Sequence, residues 1–595
     1  MRSRVHEYGG GAWSIISMTG VAWVNDQDQQ IWLTVWDSTS STSQQPNQID
    51  SSSYRLTSQM NMRFADLTYD PVRHWLLAVA EIHEEAESAK GEEVCNLLVA
   101  ICLKSGNLTV LAKGADFYAA PALSPDGRWL AWVEWKHPAQ PWLNTCVRLA
   151  DLDHPDQEAA VMRSTDDQVA WLQPRFSPDA ELLAVGDIDN WWNLFKLSKT
   201  EVPKPLTDTV QAEFTQAPWQ LGLCSYGWSS HGELLAIVQA GGYSSLRRYQ
   251  ADLQCWLTLS LPFTRLYSLA LSGDYAYMVA ESPECLSGII MLNLSDNRWH
   301  YLCGGAEPAC HVSLPQARSC PLNEGDELPF FYYPPHSASI PLTTNAAPPL
   351  ILLIHGGPTS STAPVFNPRI QYWTQCGFAV ADLNYRGSCG YGRRYRLMLQ
   401  SRWGIADVED AESVVDWLVS QDLADAQALF IRGQSSGGYT VLMALLSSQR
   451  WCAGASLYGI SDLQRLAQTT HKFESRYLNW LIGDPDDQEL FRQRSPYYLA
   501  DGWQTPVIFF QGRKDKVVPP EQTLRLQARL QQAGVRVEAC LFDDEGHGFR
   551  LACNQQQVLE QEMAFYLNSL EAAKGQLSDK RNIKINQSNR ASCGR

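Results

Sequence analysis

A serine lies in a glycine frame between an apolar run and a helical pattern. The segment ALFIRGQSSGGYTVLMALLSSQ covers residues 428–449, and Gly433, Ser435 and Gly437 in it form the pattern Gly-x-Ser-x-Gly. Such a strand-to-helix turn lifts a serine hydroxyl out of a strained backbone, as nucleophilic attack requires. We therefore predict that Ser435 is the nucleophile, because Ser436 does not fit the frame; a glycine-rich turn without chemistry is the alternative.

A serine hydroxyl needs a base to take its proton and an acid to orient that base. Downstream, FFQGRKDKVVPP places Asp515 on a loop after a strand, and FDDEGHGF places His547 on the next such loop. The order serine, acid, histidine is the order found on turns of this kind. Asp543 and Asp544 are alternative acids, but they lie too near the histidine in sequence to approach its ring from behind. We interpret His471 as a structural or surface residue.

Attack on a carbonyl creates an oxyanion that preformed donors must hold. The motif HGGP at residues 355–358 follows a strand and presents backbone N–H groups on a glycine turn. We predict that the backbone N–H groups of Gly357 and Ser436 form this oxyanion hole. His355 precedes the turn, so we do not assign it the role of the base.

The residues after about 340 alternate strands with longer amphipathic segments. This alternation predicts a mostly parallel, doubly wound sheet that is covered by helices on both faces, the arrangement of an α/β-hydrolase. The predicted strands lie in PPLILLIHGG, GFAVADLNYRG, ALFIRGQ, GASLYGI, PVIFFQG and VEACLFDDEGH.

The first 310 residues instead repeat one phrase, a polar turn before a strand of Leu, Ala, Val and Trp. The clearest copies are ALSPDGRWLAWVEW, RFSPDAELLAVGDI and YGWSSHGELLAIVQ. Spacings of about 45–55 residues predict the blades of a β-propeller; an irregular all-β domain is the alternative. The polar tract at 37–53 is interpreted as an exposed loop between strands. We expect a propeller over 1–309, a hydrolase domain over 310–575 and a disordered polar tail over 576–595.

Composition excludes several functions. A formal net charge of -17 argues against binding to a nucleic-acid backbone. The longest apolar runs are strand-sized, so we expect no membrane segment and a cytoplasmic protein. The 15 cysteines include no C-x-x-C pair, which makes a metal or redox site improbable.

Over nearly its whole length the chain resembles the prolyl oligopeptidase family of serine peptidases, and most closely the branch of acylaminoacyl peptidases and dipeptidyl aminopeptidases. The motifs that carry the resemblance are HGGP, NYRGSCGYGRRYR, RWGIADVEDA, GQSSGGYT, GASLYGISDL, HKFESRYL, FFQGRKDKVVPP and EGHGF. The resemblance implies a propeller that caps the hydrolase, with Ser435 as nucleophile, Asp515 as acid and His547 as base.

The chain differs from two other branches of this family. Prolyl oligopeptidase and dipeptidyl peptidase IV place a tyrosine hydroxyl in the oxyanion hole where this chain has His355, which implies a hole made of backbone alone. Dipeptidyl peptidase IV also anchors a free amino terminus with paired glutamates. Glu84 and Glu85 are candidates for that role, although we favour an acidic surface loop.

We therefore expect a serine peptidase that hydrolyses short peptides through an acyl-enzyme, without a metal or an organic cofactor. A carboxylesterase with the same triad and a non-catalytic propeller that binds a partner are the alternatives. The oligomeric state stays open, a homo-oligomer included.

The start of the chain carries one more expectation. In similar proteins several tens of residues precede a phrase like VHEYGGG, which here begins at Val5. We therefore expect the first propeller blade to lack strands and to have an unpaired edge; closure of the ring by a segment near 285–303 is the alternative.

Overall fold

The computed structural model describes residues 1–36, 51–83, 94–163, 168–309, 311–322, 325–336 and 347–592, with side chains as far as residue 572. In this part of the chain, six four-stranded antiparallel sheets precede one eight-stranded mixed sheet. The predicted fold class, a β-propeller followed by an α/β-hydrolase, is confirmed.

Each propeller blade consists of four consecutive strands that pair in chain order. The strands of the first three blades are β1 Trp13–Ser17, β2 Gly20–Val24, β3 Ile31–Trp36, β4 Ser51–Arg55; β5 Met62–Asp70, β6 Trp75–Ile82, β7 Cys95–Cys102, β8 Leu108–Ala112; β9 Phe117–Leu123, β10 Trp129–Trp135, β11 Cys146–Asp151 and β12 Ala160–Arg163. Those of the last three are β13 Leu172–Phe176, β14 Leu182–Gly186, β15 Asn193–Leu197, β16 Lys204–Pro205; β17 Tyr226–Trp228, β18 Leu234–Ala240, β19 Tyr243–Gln250, β20 Cys255–Thr258; β21 Arg265–Ser272, β22 Tyr275–Ser282, β23 Cys285–Asn293 and β24 Trp299–Gly304.

The expectation that the first blade lacks strands is wrong, because β1–β4 form a four-stranded sheet like the other five. The strand that the sequence concealed is β4. It has the sequence SSSYR, all five residues are exposed, and it lies at the end of the tract interpreted as a loop. Pairing with β3 stabilises this edge strand although serine has little preference for strands.

The repeated phrase forms the first hairpin of its blade. In three copies a serine at the start of the turn accepts a hydrogen bond from a backbone N–H four or five residues later, which closes the turn before the second strand begins. The contacts are Trp129 N to Ser124 Oγ at 2.8 Å, Glu181 N to Ser177 Oγ at 3.0 Å, and Glu233 N to Ser229 Oγ at 3.3 Å.

The hydrolase sheet has the strand order β25-β26-β28-β27-β29-β30-β31-β32, and all its pairs from β28 onward are parallel. Its strands are β25 Gln316–Pro321, β26 Glu327–Tyr333, β27 Leu350–Ile354, β28 Ala379–Leu383, β29 Leu429–Gln434, β30 Ala453–Leu457, β31 Val507–Gly512 and β32 Val537–Phe542. The helices are α1 Pro368–Gln375, α2 Gly392–Leu397, α3 Ala406–Ser420, α4 Ser436–Ser447, α5 Leu463–Thr469, α6 Tyr477–Leu481, α7 Gln488–Gln493, α8 Glu521–Gln532 and α9 Ala552–Ser592.

Alternate residues of the hydrolase strands enter two cores, one on each face of the sheet. Along β27, Leu350 and Leu352 pack into the core that continues into the propeller, whereas Ile351 packs into the core beneath α1 and α9. Helix α9 runs on to Ser592, in contrast to the disordered tail expected over 576–595. No helix in the described residues combines the length and the apolar character that a membrane crossing requires.

Aromatic side chains from both domains form one buried cluster at the domain interface. The propeller contributes His6, which stacks on Phe473 of the hydrolase, and several tryptophans that surround Tyr477. The ring centroids are 5.3 Å apart for His6 and Phe473, 5.8 Å for Phe117 and Phe473, 5.4 Å for Trp142 and Tyr477, and 5.9 Å for Trp219 and Tyr477. Burial of such large rings stabilises the docking of the two domains.

A buried ion cluster joins the domains beside these rings. Arg396 of the hydrolase lies 2.5 Å from the Asp187 carboxylate and 3.9 Å from that of Glu213, both in the propeller. Its guanidinium also lies 4.0 Å from the centre of the Trp192 ring. Burial raises the pKa of Glu213 to about 7, against the opposing effect of Arg396. Arg393 of the hydrolase also pairs with Asp187, at 2.8 Å, so two cations bind this carboxylate and one of them, Arg396, is fully buried.

We predict that Arg396→Met destabilises the protein by about 3–5 kcal/mol, because it removes the buried cation beside Glu213 and leaves Asp187 paired with Arg393 alone. Chemical denaturation measures this loss. Arg394→Met is the matched control, since Arg394 is 66% exposed and pairs with Asp326 at the surface; it should cost less than about 1 kcal/mol. Equal losses in the two variants would contradict a special role for the buried cluster.

Candidate active site

The candidate nucleophile Ser435 lies between the end of β29 and the start of α4. Its backbone has φ 53° and ψ −122°, a conformation that costs energy for a residue with a side chain. Glycine is required at two positions beside it, because backbone carbonyl oxygens approach both positions closely. A Cβ on Gly437 would lie 2.2 Å from the Ile354 carbonyl oxygen, and one on Gly433 would lie 2.2 Å from the Gly437 carbonyl oxygen.

The structure brings the three predicted triad residues together. His547 Nε2 lies 2.9 Å from Ser435 Oγ, and His547 Nδ1 lies 2.8 Å from Asp515 Oδ2. The edge of the Tyr458 ring contacts the imidazole, with 4.9 Å between the ring centres. The Tyr458 hydroxyl donates to Gln434 Oε1 at 3.0 Å. This tyrosine therefore connects the histidine loop to the serine turn.

Backbone groups hold the Asp515 carboxylate, which is fully buried. Its Oδ1 accepts hydrogen bonds from the N–H groups of Val517 and Val518, each at 2.9 Å. The rival acids point elsewhere: Asp543 is 2.8 Å from Arg513, and Asp544 is 3.4 Å from Lys514, all at the surface. Asp515 is therefore the acid that faces the histidine.

The two predicted oxyanion donors lie on turns that follow neighbouring strands, Ser436 after β29 and Gly357 after β27. Ser436 is the first residue of α4, so its N–H has no acceptor within the helix. Gly357 has φ 127°, which favours glycine, and its turn follows β27, the strand beside β29. A Cβ on Gly356 would lie only 3.5 Å from Ser435 Cβ, so the HGGP backbone is close to the nucleophile.

His355 stabilises this glycine turn. Its ring stacks on Tyr385 at 4.3 Å, and its Nε2 lies 2.8 Å from Ser388 Oγ. Burial lowers the pKa of His355 to about 4, so the ring is neutral near pH 7. The Tyr385 hydroxyl donates to the carbonyl oxygens of His355 at 3.1 Å and of Pro358 at 3.4 Å.

A cavity of about 460 Å³ lies between the two domains and opens onto Ser435 and His547. The propeller contributes Trp219, Arg265 and other side chains to its wall, and the amino-terminal segment contributes Tyr8. These residues are remote from the triad in sequence, and no chemical motif marks them. Tyr8 lies in the VHEYGGG phrase, but nothing in that phrase predicts a place in the catalytic cavity.

The other sequence candidates lie outside the catalytic contacts or outside the described residues. His471 is buried, 3.9 Å from Glu474, and is a structural histidine as expected. Glu474 in turn accepts a hydrogen bond from the Tyr8 hydroxyl. Glu84 and Glu85 lie outside the residues that the structure describes.

Comparisons with known proteins identify the family of this chain. The profile of the prolyl oligopeptidase family matches residues 364–573. The solved structure of a puromycin-hydrolysing peptidase of Mycobacterium tuberculosis is 31% identical, with a TM-score of 0.88 over 96% of this chain and 88% of that one. The chain belongs to the prolyl oligopeptidase family. Its resemblance to that family, inferred from motifs, is thus confirmed.

Two curated relatives each match about a third of this chain. Dipeptidyl peptidase family member 6 of Caenorhabditis elegans is 30% identical over 216 residues, which are 35% of this chain and 29% of that protein. An acylamino-acid-releasing enzyme of Arabidopsis thaliana is 28% identical over 215 residues, 33% of this chain and 27% of that protein. The matches thus span less than a third of each curated relative.

We predict that Ser435→Ala lowers peptidase activity by about four to six powers of ten while leaving the fold intact, because the covalent route is lost. Ser436→Ala is the neighbouring control and should retain activity within about ten-fold, since its predicted donor is a backbone N–H. Initial rates with a peptide anilide measure both. An inactive Ser436→Ala beside an active Ser435→Ala would overturn the assignment.

Proposed function

We propose that this chain is a serine peptidase that hydrolyses short peptides through an acyl-enzyme intermediate. The observation that carries the proposal is the continuous hydrogen-bonded relay Ser435–His547–Asp515 at the wall of a cavity between two domains. Family membership supports it, because the relatives named above are described as peptidases or as an acylamino-acid-releasing enzyme.

In this proposal each residue of the site performs one step. His547 Nε2 takes the proton of the Ser435 hydroxyl as the oxygen attacks the scissile carbonyl, and Asp515 stabilises the imidazolium. The backbone N–H groups of Gly357 and Ser436 bind the oxyanion. His547 then gives its proton to the leaving amine, which departs and leaves an ester on Ser435. Water, deprotonated by the same imidazole, hydrolyses this ester and regenerates the serine.

The position of the cavity favours short substrates. Backbone directly after the HGGP motif contacts the propeller, since Trp219 Nε1 donates to the Thr359 carbonyl oxygen at 2.6 Å. A folded substrate would have to separate such contacts to bring a loop to Ser435, whereas an extended peptide needs only an opening. A similar structure is described as a puromycin-hydrolysing peptidase, so puromycin belongs in any substrate panel for this chain.

We expect purified protein to cleave peptide anilides and peptides shorter than about 30 residues, and to leave folded proteins intact. The panel contains peptide anilides, p-nitrophenyl esters, puromycin and a folded protein, and kcat/KM is measured for each. Labelling of Ser435 by a fluorophosphonate, absent from Ser435→Ala, is the control for a working triad.

Each other outcome of the panel contradicts the proposal in its own way. Turnover of esters alone would indicate a carboxylesterase. Failure of fluorophosphonate labelling would indicate a non-catalytic binding protein. Rapid cleavage of the folded protein would contradict access limited by the propeller.

A further inference from the structure

The catalytic cavity carries one fixed charge. Among the described residues that line it, Arg265 of β21 is the one side chain with a permanent charge, and no carboxylate is present. The other lining groups are neutral amides, hydroxyls, glycines and rings, together with the triad histidine. A cation that is alone in a cavity attracts an anionic part of whatever enters, because the confined space screens it less than bulk water does.

Arg265 stands at a junction between two cavities. It also lines a second, smaller cavity of about 80 Å³, which shares Gln216, Leu223 and Ser361 with the catalytic one. A substrate that extends from Ser435 towards the propeller would therefore pass this side chain.

The arginine is held in place but keeps donors for a ligand. Its Nη1 donates to Glu281 at 3.3 Å across the β21–β22 pair, and its guanidinium lies 5.0 Å from the centre of the Tyr267 ring. A guanidinium has five N–H donors, and this contact uses one of them. The side chain is 42% exposed, so the remaining donors are accessible.

Hydrogen bonds to the hydrolase fix the position of Arg265 relative to the triad. The preceding residue, Thr264, donates through Oγ1 to the Pro364 carbonyl oxygen at 2.6 Å. The Phe366 N–H donates to the Ser282 carbonyl oxygen at 2.8 Å, next to Glu281. This part of the sixth blade is therefore attached to the segment that follows the oxyanion turn.

We propose that Arg265 is a specificity-determining residue that binds a carboxylate of the peptide substrate at the propeller side of the cavity. A planar guanidinium binds a carboxylate through two parallel hydrogen bonds, which neutral amides do not match. The carboxylate is either the free carboxyl terminus of a short peptide or an acidic side chain. Glu281 partly offsets the charge, so the preference is moderate. The inference rests on the peptidase function proposed above.

The test compares matched substrates by kcat/KM. One pair of short peptides differs only in a carboxyl-terminal acid or amide, and a second, amidated pair differs in Glu or Gln. We expect a preference of about ten- to a hundred-fold for the anionic member of one pair, and the pair that shows it identifies the source of the carboxylate. Arg265→Gln should remove this preference, so that both members of the pair are cleaved with equal kcat/KM.

Two controls separate this proposal from a change in folding and from the proposed function. Arg298→Gln lies in the same blade, is 89% exposed and lines neither cavity, so it should keep the preference. Binding of the acid and amide peptides to Ser435→Ala, by calorimetry, reports recognition without turnover. Equal cleavage of both members of each pair would overturn the carboxylate site alone. Absence of all cleavage and of fluorophosphonate labelling would overturn the peptidase function.

Discussion

The catalytic geometry depends on the close approach of one turn to the end of a neighbouring strand. The turn Gly433–Gly437 meets the carboxyl end of β27 so tightly that a Cβ on Gly437 would overlap the Ile354 carbonyl oxygen. Since the HGGP turn continues directly from Ile354, this contact fixes the oxyanion backbone relative to Ser435. A residue with a side chain at position 437 would therefore push the HGGP turn away from the turn that carries Ser435.

The rest of the triad follows from the parallel order of the sheet. Strands β27, β29 and β31 all point the same way, so the loops after them emerge at one edge. The Asp515 loop is rigid in its own right, because Gln511 and the backbone of Val517 and Val518 hold the carboxylate. His547 therefore meets a preformed acceptor on one side and a preformed hydroxyl on the other.

The parts of the site that depend on local pattern could be predicted from the sequence. Ser435, Asp515 and His547 each follow a strand of the parallel sheet, and the parallel order brings the loops after these strands together. The propeller was predictable for a similar reason, since its first hairpin repeats. Strand β4 was not, because its polar residues pair only as an edge. The role of Arg265 could not be predicted either, because only the closed propeller, docked on the hydrolase, brings this residue to the cavity.

The two domains contribute different kinds of group to one cavity. The hydrolase supplies a nucleophile, a base and neutral donors, whereas among the described lining residues the fixed charge comes from the propeller. The Arg265 guanidinium therefore lines the cavity only while the domains are docked. The ion pairs of the fully buried Arg396 with Asp187 and Glu213 of the propeller stabilise this docking. Because the same docking both covers Ser435 and positions Arg265, the proposed restriction of substrate size and the proposed selection by charge would both follow from one interface.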